Sequence, residues 1–191
     1  VGREAAAALK KARKQVADAL GCMPEELYFT SCGSEADNWA IVRGAESMSR
    51  KGKHVITSTV EHDAVRESMK ELERRGYEVT WLSPDETGAV PVSSVAAALR
   101  SDTILVSLML VNNETGAITD IPGISRALKA AGSIALLHTD AVQGFLKVPF
   151  QAKTLGADMI SISGHKIHAP KGIGALYIRK GMKPAAKLLP Y

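Results

Sequence analysis

Residues 158–179 read Asp158-Met-Ile-Ser-Ile-Ser-Gly-His-Lys-Ile-His-Ala-Pro-Lys-Gly-Ile-Gly-Ala-Leu-Tyr-Ile-Arg179, and this stretch decides the fold. Met159 to Ser163 is a short run of apolar and hydroxyl side chains that stops at Gly164. Ala175 to Ile178 is a second apolar run, beyond a glycine-rich turn. Both have the length and residue types of buried strands. His165 and Lys166 then stand just past a strand's carboxyl end, where ligands sit in open α/β sheets. Most lysines are simply solvated, but this one shares its strand end with the hydroxyl of Ser163 and the imidazole of His165.

Lysine amines form Schiff bases with carbonyl compounds, pyridoxal phosphate (PLP) among them. PLP also needs a carboxylate opposite its pyridine nitrogen. Leu136-Leu-His-Thr-Asp140 is an apolar run that ends in an acid, with Gln143 three residues on. Two neighbouring strand ends would thus hold the two ends of one cofactor.

Outward from this pair, strands and helices alternate. Glu4 to Leu20 has a helical period closed by Gly21, and Leu27 to Thr30 is a strand. Ser31-Cys-Gly-Ser-Glu-Ala-Asp-Asn38 turns into a helix with Trp39, Ile41, Ala45 and Met48 on its apolar face. Gly33 and Ser34 at that helix start offer free N–H groups and a favourable dipole to an anion, although Ser34 taken alone reads as a plain N-cap. His54 to Thr57 and Glu78 to Leu82 are strands around a helix that ends near Arg75. Val92 to Leu99 is a short helix. Ile104 to Leu110 is an apolar strand of the kind buried in a parallel sheet, followed by Asn112 and Asn113, a turn-forming pair. Ile121 to Ala131 is a helix with Pro122 in its first turn, Ile134 to His138 a strand, and Lys153 to Gly156 a short connecting element. The alternation predicts a doubly wound, mainly parallel α/β sheet in one domain. A dinucleotide-binding GxGxxG reading fails, because Gly172 and Gly174 lack a third glycine and a strand–turn start.

Composition agrees with this class and excludes others. The chain has 191 residues, 46% hydrophobic and 23% charged, as in globular proteins. No apolar run approaches a membrane span, and Val-Gly-Arg-Glu-Ala at the start is no signal peptide. The net charge of +4 suits an anionic cofactor. Arg3, Lys10, Lys11, Arg13 and Lys14 interleave with Ala5, Ala8, Leu9, Ala12 and Val16 at helical spacing, which reads as the solvated face of one amphipathic helix rather than a nucleic-acid stripe. Cys22 and Cys32 form no CxxC and have no histidine cluster beside them, so neither a disulfide framework nor a metal site is indicated, and the cytoplasm is the default compartment.

Four motifs occur in one order: Val111-Asn-Asn-Glu-Thr-Gly116, His138-Thr-Asp-Ala-Val-Gln143, Ser163-Gly-His-Lys166 and Pro170-Lys-Gly-Ile-Gly-Ala-Leu-Tyr177. From about Leu9 to Arg179 the chain resembles the cysteine desulfurase branch (NifS/IscS-like) of the fold-type I, class V aminotransferase-like PLP enzymes. The resemblance implies a three-layer α/β/α fold with a mainly parallel seven-stranded sheet whose last strand is antiparallel. It implies that residues 1–191 are the PLP-binding large domain, with an N-terminal segment and a C-terminal small domain lying outside the chain. It implies pyridoxal 5'-phosphate carried on Lys166, Asp140 on the pyridine nitrogen, Gln143 and Asn113 near the 3-oxygen, and His62 flat on the ring as a possible proton carrier. Gly33, Ser34, Ser163 and His165 would hold the phosphate, and Asn112 would support its loop.

The implied reaction takes L-cysteine to L-alanine and passes sulfur to an enzyme cysteine as a persulfide, for iron–sulfur cluster assembly or other delivery. Neither Cys22 nor Cys32 matches the nucleophile's motif, and Cys32, which departs from the family's usual small residue, reads as a packing residue. A homodimer and a sulfur-acceptor protein are the implied partners. A selenocysteine lyase, another class V enzyme, or a catalytically incomplete PLP-binding or dimerisation module are the alternatives. Leu110 stands where many desulfurases have histidine.

Overall fold

The computed structural model describes residues 2–182. Seven strands form one sheet: β1 (Leu27–Thr30), β2 (His54–Ser58), β3 (Glu78–Leu82), β4 (Thr103–Ser107), β5 (Leu136–Asp140), β6 (Met159–Ser163) and β7 (Gly174–Ile178). Their spatial order is β1-β7-β6-β5-β4-β2-β3. Strands β2 to β6 pair in parallel, and β7 runs antiparallel to both β1 and β6. The helices are α1 (Gly2–Leu20), α2 (Gly33–Asn38), α3 (Gly44–Met48), α4 (Asp63–Arg74), α5 (Val92–Ala98), α6 (Ile121–Ala130) and α7 (Ala152–Leu155).

Successive residues of a strand face opposite sides of the sheet, and the core divides along that alternation. Ile56, Val106, Leu137, Ile160 and Tyr177 pack with Leu20 of α1, Val95 of α5, Ile124 of α6 and Leu155 of α7. Val55, Leu105, Met159, Leu176 and Ile178 pack on the other face with Ala36, Ile41, Met69 and Leu72. The result is the three-layer α/β/α arrangement. A buried Leu or Ile contributes roughly 1.5–3 kcal/mol. Such packing holds α2 in place, since a helix of six residues has no stability of its own.

Several boundaries differ from the pattern-based reading. Regular pairing of β4 stops at Ser107 rather than Leu110, although the N–H groups of Leu108 and Leu110 still donate to the carbonyls of His138 and Asp140 at 3.2 and 2.9 Å. β5 begins at Leu136 and ends on Asp140, so the acid is the strand's last residue and not two beyond its end. The helix after β1 is interrupted by a π-helical turn, Trp39–Arg43. The apolar stripe of α1 is also corrected: Ala5, Ala8 and Leu9 are exposed, and only the end of the helix, with Val16, Ala17 and Leu20, packs against the core, so the first half of the stripe has no partner among the described residues. Residues 183–191, read as an aperiodic tail, lie outside the described residues.

Candidate active site

The strand alternation that divides the core also builds the site. On the face covered by α2 and α4, β4 presents Leu105 then Ser107, β5 presents Leu136, His138 then Asp140, and β6 presents Met159, Ser161 then Ser163. That face turns from apolar to polar toward the carboxyl ends of the strands. A cavity of about 250 Å³ opens there, and its walls include Gly33, Ser34, His62, Asn113, Asp140, Gln143, Ser163, His165 and Lys166. Segments far apart in sequence thus meet at the carboxyl edge of one sheet, where a doubly wound fold binds ligands.

On one side of the cavity lies a hydroxyl and imidazole group. Ser163 Oγ is 2.9 Å from His165 Nδ1, which fixes the imidazole over the end of β6. Gly33 sits so close to this strand that a Cβ would come within 2.7 Å of Val142 Cγ2 and 3.2 Å of Ser163 Cβ. Its neighbour Ser34 is not the N-cap. That position belongs to Cys32, which caps with no side-chain bond, and Glu35 instead accepts from the N–H and hydroxyl of Ser31, both at 2.6 Å. Ser34 keeps a hydroxyl with no protein partner among the described residues. The first i→i−4 bond of α2 runs from Ala36 N–H to the Cys32 carbonyl, leaving the N–H groups of Gly33, Ser34 and Glu35 ahead of it. Cys32 itself is half-buried and lines the cavity, which corrects its reading as a packing residue.

On the other side stand Asp140, Gln143 and His62. Asp140 is 6% exposed and its Oδ1 accepts the Val142 N–H at 2.8 Å. Gln143 Oε1 accepts from Lys147 at 3.0 Å, which leaves its amide N–H₂ for the cavity. His62 is the N-cap of α4, its Nδ1 accepting from Ala64 N–H at 3.1 Å, so its ring is exposed at the cavity with Nε2 uncommitted. Asn112 ties its loop down: Nδ2 donates to Val60 O, and Oδ1 accepts from Glu114 and Thr115. Asn113 faces the cavity, its Nδ2 donating to Glu114 at 2.7 Å. Leu110 is buried in the main core, against Gly144, and is not part of the cavity wall.

Sequence reasoning missed the groups beneath this wall. Asp37 is 1% exposed and lines the cavity, and Glu61 and His138 are buried beside it. Glu61 Oε1 accepts from Ser58 Oγ at 2.6 Å and from Met109 N–H at 3.2 Å, and burial pushes its pKa up to about 8. His138 bridges Ser107 Oγ (2.8 Å) and Ser161 Oγ (2.9 Å), and burial pushes its pKa down to about 3, so it is neutral. Burial also raises the Asp37 and Asp140 carboxyls above the usual range, opposed at Asp37 by the Ser161 hydroxyl and at Asp140 by the Val142 N–H. For His138 the sequence signal was available, as one of the polar residues at every second position of an otherwise apolar, buried strand; Asp37 on α2 and Glu61 ahead of α4 left no such mark.

The arrangement brings together an amine (Lys166), a buried acid (Asp140) and an anion cradle of hydroxyls, an imidazole and helix-start N–H groups. Such a donor set suits a small aromatic carbonyl compound bearing a phosphate, with one ring nitrogen for the acid. Cys22 lies apart, with burial raising its thiol pKa to about 11, which leaves it unreactive.

Comparison with known proteins places these features in a lineage. The sequence pattern described as Aminotransferase class-V matches residues 1–190. Cysteine desulfurase IscS of Escherichia coli is 46% identical over 187 residues, which is 98% of this chain and 45% of that protein. The corresponding IscS of Shewanella halifaxensis is 48% identical over the same length. Among solved structures, a NifS-like protein superposes with a TM-score of 0.94 at 40% identity, covering 98% of this chain and 51% of the other. The chain therefore spans about half the length of the curated relatives it matches.

Proposed function

From the premise that this chain belongs to the aminotransferase class-V family, we propose that it is the cofactor-binding large domain, residues 1–191, of a pyridoxal 5'-phosphate-dependent cysteine desulfurase. The observation that carries the reading is that Lys166, past β6, and Asp140, at the end of β5, line one cavity together with Ser163 and His165. A solved relative at 38% identity, described as SspA in complex with cysteine, supports L-cysteine as substrate class.

PLP, when bound, supplies an electron sink for the pair left on a substrate α-carbon when its proton departs. The residues of this chain divide the remaining work. Lys166 would carry the cofactor and would supply the base for a substrate's α-proton. Asp140, as a carboxylate in a water-poor wall, would favour a positive charge on the ring nitrogen. Gln143 would offer its amide N–H to the ring, Asn113 would orient the substrate end, and His62 would cover the ring and offer Nε2 for proton transfer. Ser34, Ser163, His165 and the backbone of Gly33 would bind the phosphate.

Neither cysteine of this chain is assigned as sulfur acceptor, because Cys22 is buried away from the cavity and Cys32 lies beside the phosphate cradle. The sulfur goes to a cysteine contributed from beyond these residues, and from there to an acceptor protein, in a cytoplasmic homodimer.

The test supplies PLP and L-cysteine to the protein that carries this chain and measures alanine. Lys166→Ala is expected to lose alanine formation by at least about a hundredfold, in line with the loss of a general acid–base and its covalent link. A variant that still makes alanine overturns the assignment. Preference for L-selenocysteine redirects it to a lyase, and PLP uptake without alanine makes the chain a cofactor-binding module.

A further inference from the structure

The proposed function leaves one buried group without a task. Asp37, on α2, lines the same cavity as Asp140, yet its Oδ1 has no hydrogen-bond partner among the described residues. Nε2 of His138 lies 3.6 Å from it. That contact is not an ion pair, since His138 is buried between two serine hydroxyls and neutral. Nor do the acids here form a cation site: among the described residues no group of three or more His, Cys, Asp or Glu is arranged to hold a metal ion.

Two acids that share a water-poor wall cannot both ionise, so one of them holds a proton. Which one is decided by the donors that meet each charge. Asp140 Oδ1 receives the Val142 N–H at 2.8 Å, a bond that favours the carboxylate. Asp37 Oδ1 receives none, the Ser161 hydroxyl is the one side-chain donor that favours a charge on this carboxyl, and Asp37 is the more deeply buried, at 1% exposure against 6%. The titratable groups that face Asp37 are Asp140 and His138 from β5, Glu61 ahead of α4, and Cys32 ahead of α2; none of them carries a positive charge.

We infer that Asp37 is a positioning residue that stays a neutral carboxylic acid beside Asp140, so that the cavity presents a single negative charge, on Asp140, to the one N–H of a protonated pyridine ring. This rests on the reading of Asp140 as the partner of that ring nitrogen. Paired titratable groups whose surroundings drive their protonation apart take separate roles in this way. Here the acid stores the proton and the carboxylate keeps its charge.

Isotope-edited infrared spectroscopy on the protein that carries this chain, freed of PLP and with ¹³C-carboxyl label in aspartate only, reads the proton directly and excludes Glu61. At neutral pH the chain is expected to show the C=O band of a protonated aspartic acid. The band is expected to be lost in Asp37→Asn and kept in Asp140→Asn. Absence of the band in the unsubstituted chain, or its survival in Asp37→Asn, overturns the inference. Should Asp37→Asn not fold, Asp140→Asn decides alone, because loss of the band there puts the proton on Asp140. A chain that behaves as expected yet takes up no PLP contradicts the proposed function and leaves the protonation of Asp37 standing.

Discussion

Glu61 is a carboxyl that the fold keeps out of water, and the consequence is measurable as a dependence of stability on pH. Its pKa rises from the ordinary value of 4.5 to about 8, chiefly through burial. A carboxyl whose folded value is raised binds a proton in the native chain that the unfolded chain has released, so its contribution is complete below pH 4.5 and is lost as pH rises toward 8. At about 1.4 kcal/mol per pH unit, the effect amounts to roughly 2–5 kcal/mol across that window. Urea unfolding at the two ends of the window is expected to show a marked loss for the unsubstituted chain and a smaller one for Glu61→Gln, which cannot ionise. Equal losses would mean that Glu61 titrates as an ordinary surface acid. This residue, like Asp37, was not legible from the chain alone. Glu61 sits next to His62 at a helix start, where an acid is ordinarily solvated, and only the fold puts it against Ser58 and Met109. Lys166 and Asp140 were legible, because each follows an apolar run of strand length and neither has another evident purpose.

At the scale of elements, the close approach of β7 to the turn before α2 couples the sheet to the phosphate cradle. A Cβ on Gly174 would lie 2.5 Å from the Cys32 carbonyl carbon and 2.9 Å from the Ile162 carbonyl oxygen. Both neighbours are backbone, so the strain passes to Gly33 and Ser34 rather than into a flexible side chain. Gly174→Ala is expected to lower unfolding free energy by about 1–3 kcal/mol and to weaken PLP uptake by roughly tenfold, read by urea unfolding and by absorbance titration. Unchanged uptake would uncouple this strand from the cradle. The glycine-rich turn of the sequence thus has a packing reason, which a search for dinucleotide motifs does not supply. The alternation of strands and helices and the mainly parallel sheet were legible in the pattern, the antiparallel last strand was expected from the family resemblance, and the spatial order of the strands was not read. The ends of β4 and β5 were not, because apolar residues continue past the regular ladder at Leu108 and Leu110, and because Ile134 is apolar but 42% exposed. The π-helical turn at Trp39–Arg43 left no mark in the pattern at all.

For the whole molecule, the two faces of the sheet carry separate duties. The face under α1, α5, α6 and α7 carries the larger apolar cluster and holds the layers together, whereas the face under α2 and α4 gives way at the carboxyl edge to serines, a neutral histidine and acids. The side chains that meet in the cavity come from the last residues of β5 and β6 and from the segments after β1, β2, β4, β5 and β6, so the site exists only when the sheet is assembled. Among the described residues no helix is long and apolar enough to cross a membrane. The central claim is that Lys166 and Asp140 hold opposite ends of one pyridoxal phosphate. It is tested most directly by adding PLP, fixing it with borohydride and locating the modified lysine by peptide mass. The account predicts label on Lys166 alone, abolished by Lys166→Ala; label on any other lysine, or none on Lys166, would contradict it.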